Sequence, residues 1–188
     1  DLCCVMDEEA KKGMADDGFP LERLVITGQP AFDKLVQVLD TEVDASLRLK
    51  QDLGMANGRP TLVFVGESLG GHWRDVYGYD ERQCLNDLLD IIKELPEQPN
   101  LIVKKHPQNL NTDFDLNAIE RVSEKLVVKI IGVEQPAKSV VLASDIVVGM
   151  SSVLLVESIL LGVPTVSIEI GARVFDKCYP VIIGAIPS

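Results

Sequence analysis

From Leu62 onward the chain is punctuated by short, unbroken apolar runs, and these restrict the fold more than any other feature. Leu62-Val63-Phe64-Val65 carries no polar residue at all, Leu101-Ile102-Val103 follows in the same manner, and Val127 to Ile131, Asp145 to Val148 and Thr165 to Ile168 read as further strands. A strand with one wet face alternates apolar and polar residues, whereas a continuous run marks a strand covered on both faces. Between the runs lie helical stretches. Glu81 to Leu95 is amphipathic, with Cys84, Leu85, Leu88, Leu89, Ile92 and Leu95 on one side. Pro136 to Ala143 reads as a short helix. Ser152 to Leu161 reads as another, ended by Gly162 where a C-cap glycine belongs. Strand, helix, strand with short links implies a mostly parallel sheet with right-handed crossovers. The expected class is α/β, a three-layer α/β/α Rossmann-like domain. Val181 to Ile183 is expected to add one more strand.

Ahead of this block, Leu2 to Met6 reads as a strand and Asp7-Glu8-Glu9 as a helix start, with the helix reaching about Asp16. Leu24-Val25-Ile26 is a short strand, and Ala31 to about Leu53 is helical. Gly66 to Asp80 is expected to be a polar, glycine-bearing loop, and Asn109 to Ala118 a loop or a short helix. Residues 1–35 and 36–188 are expected to form separate units, the first a tail and linker. Both ends of the sequence read as cut from a longer chain.

At 188 residues with 46% hydrophobic and 25% charged residues, the chain can bury a core without a metal or disulfide staple. A net charge of −11 argues against nucleic-acid and anionic-membrane partners, which it would repel. A nucleotide is compatible, since backbone dipoles hold phosphate in acidic proteins. No apolar stretch is long enough to span a bilayer. Cys3, Cys4, Cys84 and Cys178 form no C-x-x-C pair and are read as reduced core thiols of a cytoplasmic protein. No metal-ligand set is discernible.

In an open α/β sheet, ligands sit at the carboxyl ends of the strands. Three clusters lie there. Gly149-Met150-Ser151-Ser152 ends a strand and begins a helix, so free N–H groups, the helix dipole and two hydroxyls converge in a site suited to a pyrophosphate. The alternative is that a serine simply caps the helix. Glu157 is the one charge in an otherwise apolar helix, which is expected to be buried between layers, and helical side chains lean toward the N-terminus. Its carboxylate is therefore expected near the same mouth, accepting from ribose hydroxyls, or else lying in solvent or in an ion pair. Lys104-Lys105-His106-Pro107 follows a buried strand, so Lys104 or His106 can neutralise a phosphate, or the lysines can simply lie in solvent. Gly66-Glu67-Ser68 opens the third cluster, whose His72, Arg74 and Asp75 have acid–base or anion-binding chemistry. It is neither a G-K-[ST] phosphate loop nor a G-x-G-x-x-G fingerprint, which disfavours ATPase and nicotinamide readings. His72 and His106 are the candidate catalytic side chains.

Several of these stretches resemble a known pattern. Leu24-Val25-Ile26-Thr27-Gly28-Gln29-Pro30-Ala31-Phe32-Asp33 is similar to the linker between the halves of GT-B-fold proteins, including UDP-N-acetylglucosamine 2-epimerases. Leu101 to Pro107 resembles the K-x-H-P strand end of the CDP-glycerol glycerophosphotransferase and capsule-polymer transferase group. Ala143 through Glu157 to Pro164 resembles the strand, serine pair, helix glutamate and G-x-P run of the same superfamily. The resemblance implies the C-terminal half of a GT-B glycosyltransferase, binding a nucleoside-diphosphate-sugar as substrate, UDP-linked by preference, with no other cofactor. It implies diphosphate binding at Ser151 and Ser152, ribose at Glu157, phosphate or sugar near His106, and a cleft lined by Gly66, Glu67 and Ser68. It also implies a second Rossmann-like half that supplies the base for the acceptor, so that this piece alone would bind without turnover. The epimerase pattern is departed from at 66–75, and at Val156 where epimerases carry a second acid.

Overall fold

The computed structural model describes residues 1–55, 58–69, 73–108, 119, 126–174 and 178–186, with the side chains of 36–42 set aside. The chain divides into two compact units, Asp1–Val38 and Leu39–Ser188. The expected loop at Asn109 to Ala118 falls outside the described residues.

The first unit is a small βαβ arrangement. Strands β1 (Cys3–Val5) and β2 (Leu24–Ile26) pair in parallel, with Cys3 opposite Leu24 and Val5 opposite Ile26. Helix α1 (Glu8–Asp16) joins them, and its first turn is held by Asp7, which accepts from the Ala10 N–H at 2.9 Å. Cys3 is half-exposed and Cys4 exposed, so the expectation that they are core thiols fails; alternation across a three-residue strand leaves only Val5 buried. Cys84 and Cys178 are buried. Helix α2 (Pro30–Asp52) follows.

The second unit holds a five-stranded, wholly parallel sheet built from β3 (Thr61–Val65), β4 (Asn100–Lys104), β5 (Val128–Ile131), β6 (Ile146–Gly149) and β7 (Thr165–Ser167). Its order is β5-β4-β3-β6-β7. Every residue of β3 and β4 is buried, which accounts for their unbroken apolar runs, while the edge strand β5 exposes its middle. Phe64, Leu101, Val103 and Val148 pack on one face against Cys84, Leu85, Leu88, Leu89 and Ile92 of α4 (Glu81–Glu94). Asp80 caps that helix, accepting from the Gln83 N–H at 2.8 Å. Right-handed crossovers put α5 (Ala137–Leu142) and α6 (Val153–Leu160) on the other face. The layering is the α/β/α expected.

Three local expectations are corrected. Val181 to Ile183 is not a strand: α7 (Tyr179–Ile182) is a short helix with Pro180 in its first turn, where a proline's missing N–H and fixed φ are no handicap. The stretch from Gly66 to Asp80 is not all loop, for α3 (Trp73–Tyr77) forms within it. Helix α6 is not buried all round: Leu154, Leu155 and Ser158 face inward, but Val153 is 62% exposed and Leu160 42%.

Candidate functional site

The strand order reverses direction between β3 and β6, since the chain builds outward through β4 and β5 and then crosses back to the other side of β3. Such a switch opens a crevice at the carboxyl ends of the strands. Register brings the candidate residues to one level there. Val65 lies opposite both Lys104 and Gly149. The Gly66 N–H donates to the Lys104 carbonyl at 2.8 Å, and the Lys105 N–H to that of Ile131 at 2.8 Å.

Two glycines stand at close approaches without a left-handed backbone. A Cβ at Gly149 would meet Leu155 Cδ2 at 3.0 Å and Val65 Cβ at 3.3 Å, so Leu155 of α6 packs tightly over residue 149. A Cβ at Gly66 would collide with the Glu81 carboxylate.

A cleft of about 230 Å³ opens at this crevice, lined by Gly66, Lys104, Lys105, His106, Ser152 and Glu157, with Pro107, Ala137, Val153 and Leu154 completing its wall. Ser152 is the N-cap of α6, its Oγ accepting from the Leu154 N–H at 3.3 Å. The helix therefore directs its positive end into the cleft. Glu157, half-buried and one turn further along, borders the same space. His106 Nδ1 accepts from the Gln108 N–H at 3.2 Å. That bond places the proton of a neutral imidazole on Nε2, leaving a donor at the other edge of the ring.

Lys104 is only 6% exposed, and its Nζ donates to the Gly132 carbonyl at the end of β5. Burial lowers its pKa from the ordinary lysine value, against the pull of Glu134. Glu134 in turn accepts from the Gly132 N–H at 2.6 Å. Lys104 thus ties β4 to the β5 loop while flanking the cleft, and Lys105 is the other ammonium on its wall.

The remaining candidates are not part of the cleft lining. Met150 is fully buried in the core, Gly149 is closed over by Leu155, and Ser68 is exposed. Ser151 and Glu67 face each other: one carboxylate oxygen accepts from the Ser151 N–H at 2.6 Å and the other from its hydroxyl at 2.8 Å. Glu67 is 7% exposed. Burial raises its pKa above the ordinary carboxylate value, more than the bonds from Ser151 and Ser152 and the nearby His106 lower it. His72 lies outside the described residues. Arg74 pairs with Asp80 at 3.4 Å, and Asp75 offers its carbonyl to Arg173, so neither joins the cleft lining.

Sequence reading missed Tyr79 and Glu169. The tyrosine is buried behind Ser151 and donates to Glu169 at 3.1 Å. Burial and the Glu169 carboxylate both raise its pKa. The signal was an aromatic just ahead of a capping aspartate, which is indistinguishable from ordinary core. Ala137 was also missed, because a short helix start carries no chemical mark.

No protein-family model and no curated protein matches the sequence. Solved structures do share the fold. The chain aligns with the UDP-GlcNAc 2-epimerase of Neisseria meningitidis, solved bound to UDP-GlcNAc, at a TM-score of 0.62 and 16% identity, over 96% of this chain and 46% of that one. It aligns with Anabaena HepE, solved in complex with UDP-glucose, at 0.52 and 18% identity, over 88% of this chain and 44% of that one. For the wall teichoic acid polymerase TagF the values are 0.55 and 15%, over 89% and 38%. The chain therefore spans less than half the length of each of these proteins. Its fold is Rossmann-like and is shared with a part of each of these proteins. Among the described residues no helix is long and apolar enough to cross a membrane.

Proposed function

We propose that this chain is the donor-binding half of a glycosyltransferase that uses a nucleoside-diphosphate-sugar, UDP-linked by preference. The observation that carries this is the cleft at the β3–β6 switch, where the capped start of α6, Lys105, His106 and Glu157 meet. A diphosphate suits the first three: helix-end N–H groups, an ammonium and an imidazole donor all favour negative charge. The ribose suits Glu157, because a carboxylate accepts hydroxyl protons and is repelled by phosphate. Two of the solved structures with this fold hold UDP-sugars in their own sites, which supports the choice of ligand.

In transfer, the sugar–oxygen bond breaks and negative charge grows on the departing nucleoside diphosphate. Donors already aimed at that charge stabilise the transition state more than the ground state. Lys105, His106 Nε2–H and the α6 terminus fill that role. The cleft's roughly 230 Å³ is below the usual range of about 300–1,000 Å³ for a small-molecule site. It fits part of a nucleotide-sugar, with the sugar and acceptor contacted by a second half of the protein that supplies the base. On this reading the chain alone binds without turnover. The buried thiols of Cys84 and Cys178 suit a cytoplasmic, reducing location.

Calorimetric titration with UDP-glucose, UDP-GlcNAc and CDP tests the proposal. Wild type should bind a uridine ligand, and Glu157→Ala should bind it roughly tenfold or more weakly, since a charge-assisted hydrogen bond contributes about 1.5–3 kcal/mol. Equal affinity in wild type and Glu157→Ala would remove the ribose from this place.

A further inference from the structure

The Glu67–Ser151 pair is the one feature of the crevice that a donor-binding role leaves unexplained. Ser151 N–H and Oγ–H are the donors expected to meet a diphosphate, and both point to a carboxylate of the same chain at 2.6 and 2.8 Å. The Ser152 N–H contributes to the same carboxylate. An ionised Glu67 thus sits where a phosphate oxygen would sit, and a second anion brought beside it is repelled.

We propose that Glu67 is an internal stand-in for ligand phosphate, and that phosphate binds at the turn between β6 and α6 only as Glu67 takes up a proton and releases the Ser151 donors. This rests on the nucleotide-diphosphate reading of the cleft. The step balances simply: one solvent proton converts the Glu67 carboxylate to the neutral acid, and the Ser151 N–H and hydroxyl pass to a phosphate oxygen. The neutral acid can then donate to that oxygen in turn.

The surroundings suit such a step. Glu67 has little water to help hold its charge, and its pKa is already raised by burial. Among the described residues, the groups that face it include His106 beyond β4, Ser151 and Ser152 ahead of α6, and Cys178 ahead of α7. Tyr79, itself bonded to Glu169, closes the far side of Ser151. Glu169, bonded to Tyr79, adds negative charge nearby, so the site does not favour two anions together.

The test is a heteronuclear NMR titration of the full chain, labelled at backbone nitrogen and glutamate carboxyl carbon, at several pH values on both sides of neutrality. Inorganic pyrophosphate is one probe and UDP-glucose the other. With pyrophosphate, the Ser151 amide should leave its carboxylate-bonded position and the Glu67 carboxyl carbon should move to its protonated position. Glu67→Gln, which mimics the neutral acid, should bind pyrophosphate at least about tenfold more tightly at the alkaline end, the equivalent of one pKa unit. If pyrophosphate leaves Glu67 ionised and Ser151 unmoved, fails to bind, or binds Glu67→Gln more weakly, the stand-in role is overturned. Displacement of Glu67 by pyrophosphate with no binding of UDP-glucose would uphold it and sink the nucleotide-sugar reading. Binding of UDP-glucose with Glu67 unchanged would do the reverse.

Discussion

The two ends of the sheet each hold a carboxylate bonded across a long stretch of sequence, and the environments drive them in opposite directions. At the amino end, Asp145 accepts from the Thr61 N–H at 2.7 Å and from Lys50 Nζ at 2.9 Å. Burial alone would raise its pKa, but Thr61 and Lys50 outweigh that and hold it below the usual aspartate value. At the carboxyl end, Glu67 also accepts a backbone N–H and a side-chain donor, yet its pKa is raised. The difference lies in the partner and the solvent. Asp145 has an ammonium beside it and a half-exposed side chain. Glu67 accepts from a serine hydroxyl and amide and is only 7% exposed. Similar hydrogen bonding therefore produces a structural lock at one end and a strained anion at the other, and the strained one adjoins the cleft.

The largest expected effect comes from filling the carboxyl end. Gly149→Val should force Leu155 and Val65 apart, cost about 1–3 kcal/mol as overpacking does, and abolish ligand binding; denaturant melts with a ligand titration check this. Next comes the pH profile of Glu67→Gln. A carboxyl whose folded pKa is raised contributes stability below its unfolded pKa, near 4.3, and that contribution is lost as pH rises through the folded value. Chemical denaturation should therefore show the wild type losing stability relative to the variant as pH climbs above about 4.3. A parallel profile for the two proteins would erase the contrast between the sheet ends.

Ser152→Ala removes the α6 cap and should cost about 1 kcal/mol without unfolding the chain, with weaker uridine-nucleotide binding as the functional counterpart. The smallest effect is expected for Asp145→Asn, which keeps an acceptor for Thr61 but discards the charge facing Lys50. Solvent screens that pair, so the loss should stay below about 1 kcal/mol. Its sign is opposite to that at Glu67: the depressed pKa of Asp145 contributes stability above the unfolded value, lost as pH falls through the folded one. The variant should accordingly lose less stability than wild type on acidification.

Much of this was legible in the sequence because burial on both faces writes itself as unbroken apolar runs. Thr61–Val65 and Asn100–Lys104 could be placed to within a residue for that reason. Helix starts were legible where an acid or serine precedes the helix, as at Asp7 and Ser152. Tyr179–Ile182 was misread because four residues rich in β-branched side chains show no helical period, and only Pro180 hinted at a helix start. Lys104, His106 and Ser152 were legible from their position at strand ends, and Glu157 as the one charge in an apolar helix. The Glu67–Ser151 pair was not. Its members are 84 residues apart, and only the pairing of β3 with β6 brings them together.

The central claim is that a nucleoside diphosphate binds at the β3–β6 switch. Backbone NMR shifts on adding UDP, UDP-GlcNAc, CDP and NAD to the full chain test it most directly. Shifts confined to Lys104–Pro107 and to Gly149–Glu157 with a uridine diphosphate ligand are the predicted result. Shifts centred elsewhere in the sheet, or a response to NAD alone, would contradict it.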